Sequence, residues 1–134
     1  MIILDRTYED FNGVERTEKF MFHFNEVELM EMEASETGGL DATINRIVEA
    51  QDNKEIIRLM KDVLLKSYGK KSDDGRSFIK NDKIRAEFEA SPVFPQLFME
   101  FSTDADKAAK FFEGILPKTK KPNNVTPIEK KQQN

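Results

Sequence analysis

Over the first two dozen residues the apolar positions repeat every second residue, and beyond them every third or fourth. Ile2, Ile3 and Leu4 begin an extended run that includes Thr7 and Tyr8. Asn12-Gly13 is a strong hairpin-turn signal, because both residues tolerate positive φ. In the return run Phe20, Phe22 and Phe24 stand two apart and share one face of a strand, with Met21 and His23 on the other. The face taken by Ile2 and Leu4 depends on whether the loop has two or three residues, so the register stays open. A two-stranded sheet is marginal alone, and its Phe face must pack on helices or on another subunit.

From residue 25 the period is helical. Asn25 with Glu28 three residues on forms a capping-box pattern opening a helix to about Ser35, which Gly38-Gly39 ends. A second helix is predicted over 40–51, with Leu40, Ile44, Ile47 and Val48 on one face. Asp52 and Glu55 repeat the cap and open a third helix over 53–68, striped by Ile56, Ile57, Met60, Val63 and Leu64, with Gly69 as its stop. Ser72-Asp73-Asp74-Gly75 reads as a turn. Asn81 caps a short helix over 82–90 carrying Ile84 and Phe88. Ser91-Pro92 reads as a cap followed by a first-turn proline, opening a helix with Phe94, Leu97, Phe98 and Phe101. Thr103 caps a last helix over 104–113, with Ala105, Ala108 and Ala109 beside Phe111 and Phe112, stopped by Gly114 and Pro117. The expected fold is α+β and mostly α-helical: an N-terminal β-hairpin, about five to six short helices, and a disordered C-terminal tail.

Composition narrows the chemistry. The chain has 134 residues, 38% hydrophobic and 34% charged, with eleven Phe and six Met; that length suits one domain, expected over 1–116. Residues 117–134 lack periodicity and cannot bury enough apolar area to balance their ordering entropy, so a flexible Lys-rich tail is expected. No Cys is present, which excludes disulfides, cysteine nucleophiles and thiolate metal sites. A single His leaves no zinc cage, and no cofactor is expected. No phosphate-binding loop, calcium loop or nucleophile elbow occurs. Neither a signal peptide nor a membrane-spanning run is read in the text, so a cytoplasmic location is expected. The tail carries five Lys and one Glu, which leaves the first 116 residues of a −4 chain at −8. Such an acidic body argues against nucleic-acid binding, the tail being the exception.

The aromatic and Met content is the unusual feature. Eleven Phe are what a small helical domain uses to fill its interior, and that is the plain reading. The sharper one is an adaptable apolar surface for a partner helix. Met30 and Met32, two apart on a helix, cannot both face one core, and neighbouring Phe111 and Phe112 meet the same difficulty. The candidate partner-binding set is Phe20, Phe22, Met30, Met32, Phe94, Phe98, Phe101, Phe111 and Phe112; no catalytic or metal residue is assigned. Glu26, Glu28, Glu31 and Glu33 read as the solvated side of a helix with acids near its positive end.

The order of parts, LDRTYEDFNGVERTEKF, then EVELMEME, then GGLDATINRIVEAQDNKEIIRLMKDVLLKSYGKKSDDGRSFIKND and PQLFMEFSTDADKAAKFFEGILP, resembles the tail assembly chaperones of long-tailed, siphovirus-type bacteriophages of Gram-positive hosts. The likeness runs from about residue 2 to Pro117. It implies a non-enzymatic factor acting in the host cytoplasm and absent from the mature virion. Its implied partners are the tape measure protein, which it keeps soluble, and the major tail protein, which it helps recruit. The alternative is a small phage-encoded nucleic-acid or protein adaptor acting through the basic tail. Self-association is expected through the hairpin edge or the Phe-bearing helices, and a proline at Glu18 is expected to weaken it without loss of helix.

Overall fold

The computed structural model describes residues 1–35 and 53–116, with the single positions 39, 42, 45 and 49 between them. The helix predicted over 40–51, the Asp52 cap and the 117–134 tail therefore lie outside the described residues, wholly or nearly so. The described elements are β1 (Ile2–Glu9), β2 (Glu15–Phe22), α1 (Glu26–Ser35), α2 (Asn53–Ser67), β3 (Tyr68–Lys71), β4 (Phe78–Ile79), α3 (Asp82–Glu89), α4 (Val93–Ser102) and α5 (Ala105–Ile115). The architecture is α+β and mostly helical.

The sheet is larger than the sequence suggests, with four antiparallel strands in the order β1-β2-β3-β4. β1 and β2 pair with Leu4 opposite Phe20 and Ile2 opposite Phe22, which settles the register: Ile2 and Leu4 share the Phe face. The hairpin loop works through Asp10. Its carbonyl accepts from Gly13 N–H at 2.9 Å, its Oδ1 from Asn12 and Val14 N–H, and its N–H donates to Val14 O at 2.8 Å. Gly13 is left-handed, at φ +81°, and with Asp10 paired to Val14 this is a three-residue loop closed by a bulge glycine.

The second hairpin, β3–β4, departs from expectation. Gly69 does not stop a helix; α2 ends at Ser67 and Gly69 lies inside β3, opposite Met21. A Cβ there would come within 2.6 Å of Phe78 Cε2 and 2.8 Å of the Ile79 carbonyl oxygen, so the close approach of β4 requires glycine. The Ser72–Gly75 turn forms as expected, with Gly75 N–H donating to Ser72 O at 2.9 Å and Gly75 at φ +78°.

The helices cover one face of this sheet around a continuous aromatic core. Phe22 meets Tyr68, Phe88 and Phe111 at ring-centroid distances of 5.3–5.7 Å, and Tyr68 stacks on Phe88 at 4.1 Å. Such pairs add to their area burial because ring edges meet ring faces or offset stacks. α2 contributes Leu59, Met60, Val63 and Leu64 to the core, whereas Ile57 of the predicted stripe is exposed. α4 buries Val93, Leu97 and Phe101 at i, i+4 and i+8.

Two caps match expectation and two do not. Asn25 and Glu28 exchange side-chain-to-backbone bonds at 2.8 and 2.9 Å, a full capping box. Asn81 Oδ1 accepts from Ile84 N–H at 2.8 Å. Ser91 does not cap α4; its hydroxyl donates back to Phe88 O at 2.7 Å, and Pro92 holds the cap position with no side-chain bond. Thr103 likewise donates to Met99 O and ends α4, while Asp104 caps α5 through Asp106 and Lys107 N–H. α5 runs on through Gly114 to Ile115, past the predicted stop.

Candidate functional site

The structure divides the nine aromatic and Met candidates sharply. Phe20, Phe22, Phe101, Phe111 and Phe112 are buried in the core. Phe94, Phe98 and Met32 are half-buried against it. Met30 alone of the nine is strongly exposed, at 73%. The argument that Phe111 and Phe112 cannot both face inward fails because α5 is covered on several sides. It packs against α4, α2 and β1, so adjacent residues on it meet different parts of one core.

The most exposed apolar side chains lie on α1 and at the hairpin tip, while Ile3, Ile57, Ile79 and Met99 are exposed elsewhere on the surface. On α1, Val27 is 65% exposed, and Met30 and Ala34 follow at i+3 and i+7 along the same stripe. Leu29 and Met32 face inward from the other side of that helix, so α1 is apolar on two faces with room for one in the core. At the hairpin tip, Phe11 is 84% exposed, with Val14 beside it. Val27, Phe11 and Val14 were absent from the sequence-based set. Their signal was weak: each is a lone apolar residue among polar neighbours.

Next to the α1 stripe lies a groove of about 310 Å³ between α1 and α2. Phe24, Met32, Leu59 and Val63 form its apolar floor. On its rim Glu28, Glu31 and Asp62 face Lys66 and Arg85. With Glu26 and Glu33 also on α1, the α1 side of this face is acidic while Lys66 and Arg85 stand across the groove, and acids beside an apolar stripe suit an amphipathic helix with basic flanks.

One ion pair anchors this face. Lys80 Nζ lies 2.9 Å from both Glu28 carboxylate oxygens, and it sits over the Phe24 ring at 4.8 Å and near Phe78 at 5.9 Å. Its side chain is 12% exposed and that of Glu28 31%. Burial pushes the Lys80 ammonium below its ordinary pKa, while the Glu28 carboxylate opposes that shift. Glu28 thus holds both the α1 cap and the β4–α3 connection.

His23, just past β2, does not gather acids around its imidazole. Its ring meets Phe78 edge-on at 5.9 Å, its Nδ1 is buried without a hydrogen-bond partner among the described residues, and its N–H donates to Ser67 O at 2.9 Å. Burial, with smaller contributions from the N-terminus and Lys80, lowers its pKa and favours the neutral ring. Among the described residues there is no cluster of three or more acidic or His side chains placed to hold a metal, and no helix is long and apolar enough to cross a membrane.

Comparison with protein-family models matches residues 1–131 to the family described as phage tail assembly chaperone. No curated protein and no solved structure matches the chain.

Proposed function

Because the chain belongs to the phage tail assembly chaperone family, we propose that it binds the tape measure protein during tail assembly in the host cell, keeps that client soluble, and helps recruit the major tail protein. Proteins of this family assist assembly rather than catalyse a reaction. The observation that carries the client reading is the exposed Val27–Met30–Ala34 stripe with its acidic border. A long helical client exposes apolar stripes that aggregate in water; a cover with spare apolar surface and net negative charge masks them and adds repulsion between complexes. Binding of many copies along one client multiplies weak contacts through effective concentration. The chaperone leaves before the virion is complete.

Co-expression with the tape measure protein from the same genome tests this reading. The client is expected in the soluble fraction only when this chain is present, and in complex with it. Equal client solubility with and without the chain contradicts the proposal. Addition of the major tail protein to the complex is expected to yield a three-component species on size exclusion.

A further inference from the structure

β1 is an edge strand of eight residues at one end of the sheet, and the opposite edge, β4, has only two. The hydrogen-bond parity of β1 follows from the hairpin. Asp10 N–H bonds to Val14 O, so the pairs two residues apart, Tyr8–Arg16, Arg6–Glu18, Leu4–Phe20 and Ile2–Phe22, are the hydrogen-bonded ones. His23 N–H turning the other way, to Ser67, agrees with this parity. The N–H and C=O groups of Ile3, Asp5, Thr7 and Glu9 therefore point outward from the sheet. Among the described residues their backbone meets only Arg6 Nη1, which donates to Asp5 O at 2.9 Å. An unpaired edge of this length is a template for another strand. A helical client cannot supply one, because its backbone groups are already bonded.

We propose that the edge is taken by β1 of a second copy of this chain, antiparallel, across a twofold axis beside Arg6. In that register Asp5 pairs with Thr7 of the second copy and Ile3 with Glu9, giving about eight backbone hydrogen bonds. Leu4 comes opposite Tyr8 on the core side. Moving the register by two residues either way places Asp5 against Asp5 or Asp5 against Glu9, like charges directly opposed; the Lys19 paired with each Asp5 at 3.0 Å is exposed to solvent and offsets this only weakly. In the central register the one like-charged pair is Arg6 with Arg6, and each Arg6 already binds its own Glu100, with Nη2 at 3.0 and 3.2 Å from the carboxylate oxygens. The axis is thus surrounded by alternating charge. The contact is small and the dimer concentration-dependent. It needs no client, so it stands or falls apart from the tape measure reading.

The expected proline position moves accordingly. Glu18 N–H faces β1 inside the hairpin, so proline there breaks the fold's own ladder; Thr7 N–H faces out, where a strand tolerates proline. Sedimentation equilibrium of the purified chain tests the proposal with Thr7→Pro, Thr7→Lys and Thr7→Glu. The wild type is expected to dimerise reversibly and T7P to weaken the dimer at least about thirtyfold with unchanged circular dichroism. T7K, facing Asp5 of the second copy, is expected to tighten it about fivefold, and T7E to weaken it about as much. If T7P unfolds, the opposite signs of T7K and T7E carry the test. A monomeric wild type, a dimer that survives T7P, or loosening by T7K overturns the proposal.

Discussion

Replacing Glu28 by Gln should destabilise the protein through Lys80, and the structure sets the size of the effect. Removing one partner of a fully buried ion pair costs about 3–5 kcal/mol, because it leaves a desolvated charge unpaired. Here Lys80 is 12% exposed and Glu28 31%, so solvent screens part of the interaction. Gln keeps the reach needed for the α1 capping box and can still accept one bond from Lys80. We expect about 2 kcal/mol, a fall of about 1 M in the urea midpoint for a slope of roughly 2 kcal/mol per M. Lys80→Met should cost less than about 1 kcal/mol, since an apolar chain of similar length suits the Phe24 and Phe78 rings as well as the ammonium does. The double variant should recover most of the loss seen in E28Q. Folded Lys80 sheds its proton below 10.5, its ordinary value, whereas unfolded Lys80 keeps it. The unfolded state then binds more protons, and stability rises with pH. E28Q removes the group that opposes this shift, so its deficit should shrink as pH rises toward 10; beyond 10.0 the raised pKa of buried Tyr68 acts in the opposite direction. Urea unfolding followed by circular dichroism, at neutral and alkaline pH, reads all of this. A K80M loss equal to that of E28Q, or a cycle with no coupling, would refute the reasoning.

Further outcomes follow from single contacts. Gly69→Ala should cost about 1–3 kcal/mol by overpacking against Phe78 and the fixed Ile79 carbonyl, measured by the thermal midpoint; a neutral result would mean that β4 is not held against β3. Asn81→Ala and Asp104→Ala should each cost about 1 kcal/mol as lost caps, and Thr103→Ala clearly less than Asp104→Ala. The reverse order for 103 and 104 would restore the sequence-based cap. Folded His23 has a lowered pKa, so its contribution to stability should be lost as pH falls through and below 6.5. A His23→Gln variant should lose less stability on acidification, and equal acid sensitivity would remove His23 as the cause.

The parts visible in the sequence were those governed by neighbours close along the chain. Asn25 with Glu28, Asn81, the Asn12-Gly13 turn and the Ser72–Gly75 turn each rest on bonds spanning a few residues, and each forms. The β3–β4 pair was hidden because four residues and two residues are too few to show alternation. Gly69 after an amphipathic run looks like a helix stop until Phe78 and Ile79 are placed against it. The caps at Ser91 and Thr103 were misplaced by a residue because hydroxyls can also bond back to the preceding turn. For the proposed binding surface, chemistry of residue type misled: Phe side chains are valuable to the interior, so most of them are there, and the three most exposed apolar positions are Phe11, Met30 and Val27. Only the count of faces available to α1 and α5 separates the two outcomes, and that count comes from the three-dimensional packing.

The central claim is that client binding uses the outer stripe of α1 and not the aromatic core. Its most direct measurement is recovery of soluble tape measure protein on co-expression with the variant Val27→Ser, Met30→Ser. Both positions are exposed, so the variant should fold within about 0.5 kcal/mol of the wild type while client recovery collapses. Undiminished recovery with a normally folded variant would contradict the account.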